Sequence, residues 1–268
     1  MTTLVPTTAQ RPHPNSFVRD VATITGRNLR RLARVPTLLA FATVQPVMLV
    51  ILFNYAFGGA IHPPGVARYI DFLLPGLFVV TIGFGSSQTG VAMADDLVNG
   101  MIDRFRSLPT TSSAVVVGRM AADAVRNLFV ILLMIGVAAA IGFRFHAGTA
   151  PAIAAVILAV GTGLAFSALD SWLGLVVAEP EAAGLAGLFP FILLMFTSSI
   201  LVPISTMPGW LQAFAKVNPV TVFADALRAL CLGGPTGVPV FQACAWILAL
   251  VLLGVAGTAL RFRHVGER

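Results

Sequence analysis

A chain of 268 residues that is 57% hydrophobic and 10% charged, with a mean hydropathy of +0.90, is not an ordinary soluble domain, where roughly a quarter of residues carry charge. Its 17 Lys and Arg against 11 Asp and Glu give a formal net charge of +6, but the basic residues gather at the ends of apolar runs, which marks membrane topology rather than nucleic-acid binding. An all-α polytopic membrane protein is expected, with short loops and tails and no second soluble domain.

Residues 1–35 are polar and Arg-rich, without an apolar stretch of signal-peptide type, so no cleavable leader is expected. Val18, Val21, Thr25, Leu29 and Leu32 form one helical face, with Arg19, Arg27, Arg30, Arg31 and Arg34 largely off it. This pattern predicts an amphipathic interfacial helix, lying on the membrane surface or also docking a cytoplasmic partner. Six spans follow at about 36–57, 71–94, 114–142, 151–178, 184–203 and 238–260, within one domain over 36–260, and 261–268 form a tail. A helix needs roughly 20 apolar residues to cross the hydrocarbon core.

Between the second and third spans, Leu97, Met101, Phe105 and Leu108 recur at helical spacing over 95–108. Asp95, Asp96, Asn99, Asp103, Arg104 and Arg106 fill the other face, and Pro109 closes the run. A mixed-charge amphipathic helix is more than a connector needs and predicts a docking surface. The long segment 208–232 predicts two short helices at or dipping into the outer membrane surface. Trp210, Leu211, Phe214 and Val217 pattern the first, after Pro208-Gly209; Val222, Phe223, Ala226, Leu227 and Leu230 pattern the second, after Asn218-Pro219.

Arginines of the N-terminal segment, Arg104, Arg106, Arg119 and Arg126, and Arg261, Arg263 and Arg268 fall on one side of a six-span topology. The other side receives Arg68, Arg144, Lys216 and Arg228. Both termini are therefore expected in the cytoplasm.

Catalytic chemistry is thin. A P-loop needs a lysine followed by Ser or Thr; the one lysine, Lys216, is followed by Val217. His13, His62, His146 and His264 are scattered without metal-ligand spacing, and Cys231 and Cys244 read as small apolar fillers, so neither a metal nor a catalytic residue is expected. The costly residues are the intramembrane charges Arg119, Asp123, Arg126 and Asp170. Asp170 and Arg126 lie at similar depth, which predicts a structural pair between spans three and four, with Arg119 as the second choice for Asp170. A proton or substrate relay through Asp170 stays open. Gln45, Gln88 and Asn127 are uncharged polar sites that line a path for an amphipathic substrate or hold helices together. A secondary transporter would show matched broken spans in two halves, and only the second half here has the long external insertion.

Three stretches carry a family likeness: Arg104-Phe105-Arg106-Ser107-Leu108-Pro109 followed by Gly118-Arg119; Ile141-Gly142-Phe143-Arg144-Phe145-His146; and Pro203-Ile204, Pro208-Gly209-Trp210-Leu211, Asn218-Pro219-Val220 with Ala226-Leu227-Arg228. In these the chain resembles the membrane subunit of type 2 ABC exporters, most closely the daunorubicin-resistance-type permeases of actinobacteria, from about residue 16 to 263. The resemblance implies a permease in a bacterial plasma membrane that exports hydrophobic drugs, polyketides or lipids. It implies two ATPase subunits that carry ATP and Mg, with no cofactor on this chain, and a second permease copy, identical or paralogous. It implies an ATPase groove for the loop helix bearing Leu97, Met101, Asp103, Arg104, Phe105, Arg106 and Leu108, and an external cap that includes Trp210, Phe214, Asn218, Pro219 and Arg228.

Overall fold

The structure, a computed structural model, describes residues 19, 21–27, 30, 36–61, 66, 68–100 and 112–264. Its helices are α1 (Pro36–Phe57), α2 (Tyr69–Val98), α3 (Ser112–Ile141), α4 (Thr149–Val177), α5 (Pro180–Phe196), α6 (Gly209–Val217), α7 (Pro219–Leu232) and α8 (Gly237–His264). Residues 21–27 are helical too, and no strand occurs among the described residues. Among the described residues, four helices are long and apolar enough to cross a membrane: α2, α4, Val117–Ile141 of α3 and Gly237–Arg261 of α8. Thr43–Phe57 of α1 and Pro180–Phe196 are apolar but shorter.

Where helix ends differ from the sequence expectation, local chemistry accounts for it. α2 continues through Asp95–Val98, so the start of the expected 95–108 helix belongs to it; positions 101–111 lie outside the described residues. The expected 184–203 span starts early, with Pro180 in the first turn, where a missing N–H costs nothing. It also stops early, at Phe196, where Thr197 turns its hydroxyl back onto the Leu193 and Leu194 carbonyls.

The packing is built around α2, which is buried along most of its length. α1 packs on α2 and α3, α3 on α2 and α4, and α5 on α2 and α4. Around α2 the order is therefore α1, α3, α4, α5, with an opening between α5 and α1. α2 and α4 run parallel, and their backbones nearly touch at Gly90 and Gly174, where no side chain would fit. α8 lies along α4, fitted by Gly254 against Ala168 and Gly257 against Trp172.

α7 turns back into the bundle, whereas α6 stays at its surface with only Ala215 buried. Asn218 at their junction donates from Nδ2 to the Leu194 carbonyl at 2.8 Å, and α7 then climbs until the Cys231 carbonyl accepts from the His146 N–H at 2.9 Å. α7 is buried at Val220, Phe223, Ala224, Ala226, Leu227 and Cys231. Phe223 meets Phe166 of α4, Phe166 meets Phe191 of α5, and Phe191 meets Phe84 of α2, all edge to face at 5.5–5.8 Å between centroids. Each such pair adds about 0.5–1.5 kcal/mol beyond its buried area, so this ladder fixes four helices to one another.

Candidate functional site

The loop end of the bundle, where α2 leaves and α3 returns, is clamped by an ion pair. Arg119 at the foot of α3 binds Asp96 in the last turn of α2, and both are buried. The Arg119 guanidinium also reaches the Met93 sulfur at 3.9 Å. Next to Arg119, Gly118 receives the N-terminal helix. Thr25 Oγ1 lies 2.8 Å from the Val21 carbonyl and 3.0 Å from the Gly118 carbonyl, and a Cβ on Gly118 would stand 2.9 Å from Ile24. Ile24, buried here, completes a face on which the sequence pattern placed Val21 and Thr25 but not Ile24. Arg27 and Arg30 are exposed. Val18, Leu29, Arg31 and Arg34 lie outside the described residues, as do Met101, Asp103, Arg104, Phe105, Arg106 and Leu108. Leu97 packs against Met93 and Leu175.

One to two turns further in, a polar layer crosses the bundle. Arg126 reaches Asp123 at 3.4 Å and donates to the Gly85 carbonyl at 3.1 Å, while Thr89 Oγ1 donates to Asp123 at 2.7 Å. Asp170 of α4 lies 2.6 Å from Ser86 Oγ and pairs with neither Arg126 nor Arg119. The predicted Asp170–Arg126 pair is thus corrected. Arg126 and Asp170 stand at adjacent levels of α2, Gly85 and Ser86, but on different sides. Arg126 lies over the α2–α3 seam, whereas Asp170 projects into the junction of α2, α4 and α5. Asp96, Ser86 and Thr89 are the partners that sequence reasoning missed; Ser86 and Thr89 stand three apart, a spacing that puts both on one helical face.

The opposite end is organised by Arg228 of α7. Its guanidinium donates to the Phe72 carbonyl at 2.9 Å, to the Ser199 and Ile200 carbonyls at 2.8 and 3.0 Å, and to Asp225 at 2.8 Å, and stacks 3.8 Å over the Phe72 ring. Burial lowers the Arg228 pKa, and Asp225 opposes that shift. Asn218 caps α7 by accepting from the Val220 N–H at 2.9 Å, with Pro219 at the first helical position. Trp210, Phe214 and Val217 of α6 remain exposed, at 76%, 45% and 66%.

Of the uncharged polar sites, Asn127 is enclosed between α2, α3 and α4, against Ile82 and Gly163. Gln45 and Gln88 are exposed. Gln88 lies one turn from Phe84, which meets Phe191 of α5, so it faces the opening between α5 and α1. Leu185, Phe189, Leu193 and Phe196 form an exposed stripe along α5 beside it. No group of three or more His, Cys, Asp or Glu placed to hold a metal occurs among the described residues.

The ABC-2 type transporter family model matches residues 19–232. The chain is 29% identical over 259 residues to the "Daunorubicin resistance ABC transporter permease protein DrrB1" of Streptomyces coeruleorubidus, covering 97% of this chain and 88% of that protein. It is 26% identical over 252 residues to the "Probable doxorubicin resistance ABC transporter permease protein DrrC" of Mycobacterium tuberculosis, covering 92% and 90%. It is 28% identical over 194 residues to "ABC transporter G family member 20" of Dictyostelium discoideum, covering 70% of this chain and 25% of that protein.

Proposed function

We propose, for a chain that belongs to the ABC-2 type transporter family and is a membrane permease subunit of an ABC exporter, that its substrates are hydrophobic drug-like, polyketide or lipid-like molecules. The names of its relatives, which carry daunorubicin and doxorubicin resistance, support this substrate class. In this reading the chain crosses a bacterial plasma membrane six times, with α1 and α5 as the two shorter spans and both termini in the cytoplasm. The one-sided clustering of arginine supports that orientation.

Energy comes from a separate ATPase subunit that holds ATP and Mg and binds the 99–111 loop through Met101, Asp103, Arg104, Phe105, Arg106 and Leu108, with Leu97 at its root. The single observation that carries this coupling is the clamp at the loop end. Arg119 and Asp96 tie the two feet of the loop together, and the N-terminal helix sits on Gly118 beside them. A push on the loop therefore moves α2, α3 and the interfacial helix as one body, and α2 touches α1, α3, α4, α5 and α7.

The pathway runs along the opening between α1 and α5, where Gln45 and Gln88 offer hydrogen bonds on otherwise apolar walls. A second permease copy covers this face, and α6 with α7 closes its outer end. The test is co-purification from detergent. A partner bearing a Walker A motif should be recovered with the full chain and lost on Phe105→Ala. Recovery of the chain alone in a transport-active form would defeat the reading.

A further inference from the structure

Three buried acids line the loop-side half of the bundle, and two have a cation. Asp96 has Arg119 and Asp123 has Arg126. Asp170 is 7% exposed and has no ion-pair partner among the described residues; its one hydrogen-bond partner is Ser86. Arg126, a turn away on α3, is committed to Asp123 and the Gly85 carbonyl. A carboxylate in the apolar zone without a cation is costly, and a side chain of that kind is usually there for use.

What covers Asp170 is unusually thin. A Cβ on Gly187 of α5 would lie 2.5 Å from Asp170 Oδ1, and one on Gly90 of α2 would lie 2.9 Å from the Asp170 carbonyl. α5 is fastened unevenly. Its upper end and the turn beyond it are held by Asn218 at the Leu194 carbonyl and Arg228 at the Ser199 and Ile200 carbonyls. Among the described residues its lower half makes no side-chain hydrogen bond, and Gly184 and Gly187 rest there on Val91 and Asp170. Rocking of α5 about its upper anchor would uncover the carboxylate on the side from which an exported molecule enters.

We propose that Asp170 is the recognition point for the cationic group of an amphiphilic substrate, so that this permease prefers hydrophobic amines and quaternary ammonium amphiphiles over neutral molecules of the same shape. The assignment rests on the export reading above. The carboxylate meets the cation as α5 opens, and Ser86 orients it from α2.

The test compares two probes in membrane vesicles that contain the chain with its ATPase: an alkyl quaternary ammonium dye and a neutral dye of equal chain length. The variants are Asp170→Asn, which keeps the shape, and Ser86→Ala, which removes the orienting hydroxyl. Asp170→Asn is expected to lower ATP-driven movement of the cationic probe about tenfold, the loss of one charge contact, while neutral-probe movement stays within about twofold. Ser86→Ala should show a smaller loss in the same sense. Equal loss of both probes, in protein that still co-purifies with the ATPase, would mean a gate or proton relay and overturn the assignment. Unchanged movement of both would make Asp170 a packing residue and overturn it as well. A wild-type complex that moves neither probe would bring down the export reading, and this inference with it.

Discussion

Depth along a helix and direction around it are unequally readable from residue spacing. Counting residues from the loop side put Arg126 and Asp170 at one level, and they do meet adjacent residues of α2. Direction depends on how α4 is rotated, and that is set by Gly90, Gly174 and Gly187, whose missing side chains let three backbones close around the acid. Nothing in the local pattern of charges encodes it. The clamp at Asp96 was hidden for another reason: Asp96 read as part of the polar face of a docking helix in the loop, but α2 runs on through it. Breaking the clamp on one side should hurt more than removing it. Asp96→Ala or Arg119→Ala alone leaves a buried charge, at a cost of about 3–5 kcal/mol, whereas Asp96→Leu with Arg119→Leu should be nearer neutral. The monodisperse fraction after detergent extraction reads this, and single variants that match the double would refute it. Arg228 carries more partners. Arg228→Ala strands the Ser199, Ile200 and Phe72 carbonyls, while Asp225, its side chain 45% exposed, stays solvated, and should cost about 1–3 kcal/mol, seen as a lower Tm in detergent. Arg228→Lys should recover part of it, because one ammonium cannot replace a fork of donors; full recovery would mean that charge alone matters.

At the scale of elements, the spacing of apolar residues and the Pro-Gly and Asn-Pro starts were enough to expect two short helices over 208–232. It was not enough to say that the second is enclosed. Val222, Phe223, Ala226, Leu227 and Leu230 read as one apolar face, but Val220, Thr221, Ala224 and Cys231 extend the buried arc around the helix, so α7 is a core helix with one half-buried flank at Asp225, Arg228, Ala229 and Leu232. A surface helix and a core helix of 14 residues differ by only a few small side chains. The N-terminal helix was expected to lie on the membrane or dock a partner, and among its described residues it docks on α3 at Gly118. Gly118→Val would push Ile24 and the Val21 carbonyl away by putting carbon inside contact distance. The expected result is faster proteolysis within residues 19–30 in inside-out vesicles, with the transmembrane core intact. Unchanged cleavage would show that the contact does not hold the helix. Phe105→Ala tests the loop in the opposite direction. An apolar anchor at an interface centre is worth about 2 kcal/mol or more, so ATPase affinity should fall by roughly thirtyfold while membrane insertion is unaffected.

For the whole molecule, composition and apolar runs made the all-helical membrane class plain, because about 20 apolar residues have few other uses. How copies assemble is not written in run lengths; it depends on which exposed faces lipid can tolerate. α8 exposes Val238, Phe241, Leu248, Leu252 and Leu253 along its length, and its one exposed amide, Gln242, lies near its outer end, five residues after Gly237. Gln88 of α2 is exposed between α1 and α5, and Gln45 is exposed on α1 with Met48 and Leu52. Amide groups facing hydrocarbon forgo hydrogen bonds, so Gln88, ten residues from the end of its helix, gains from protein or a wet path, whereas Gln242 of α8 is close enough to its helix end to reach the membrane boundary. We therefore expect the second copy across α5, related by a two-fold axis that brings each Phe189 near its mate. The native thiols have to be separated from the test. Burial pushes the Cys231 thiol up to about 12, which leaves it inert at neutral pH, but Cys244 is exposed and must first become Ser. In that background Phe189→Cys should cross-link to a dimer under mild oxidation in native membranes, and Phe241→Cys on α8 should not. Native mass spectrometry of the ATPase-bound complex should show two permeases. Cross-linking that favours Phe241 would put the two copies together across α8, and one permease in a complex still able to transport would place the pathway within a single copy; in either case the exposed glutamines would need another partner.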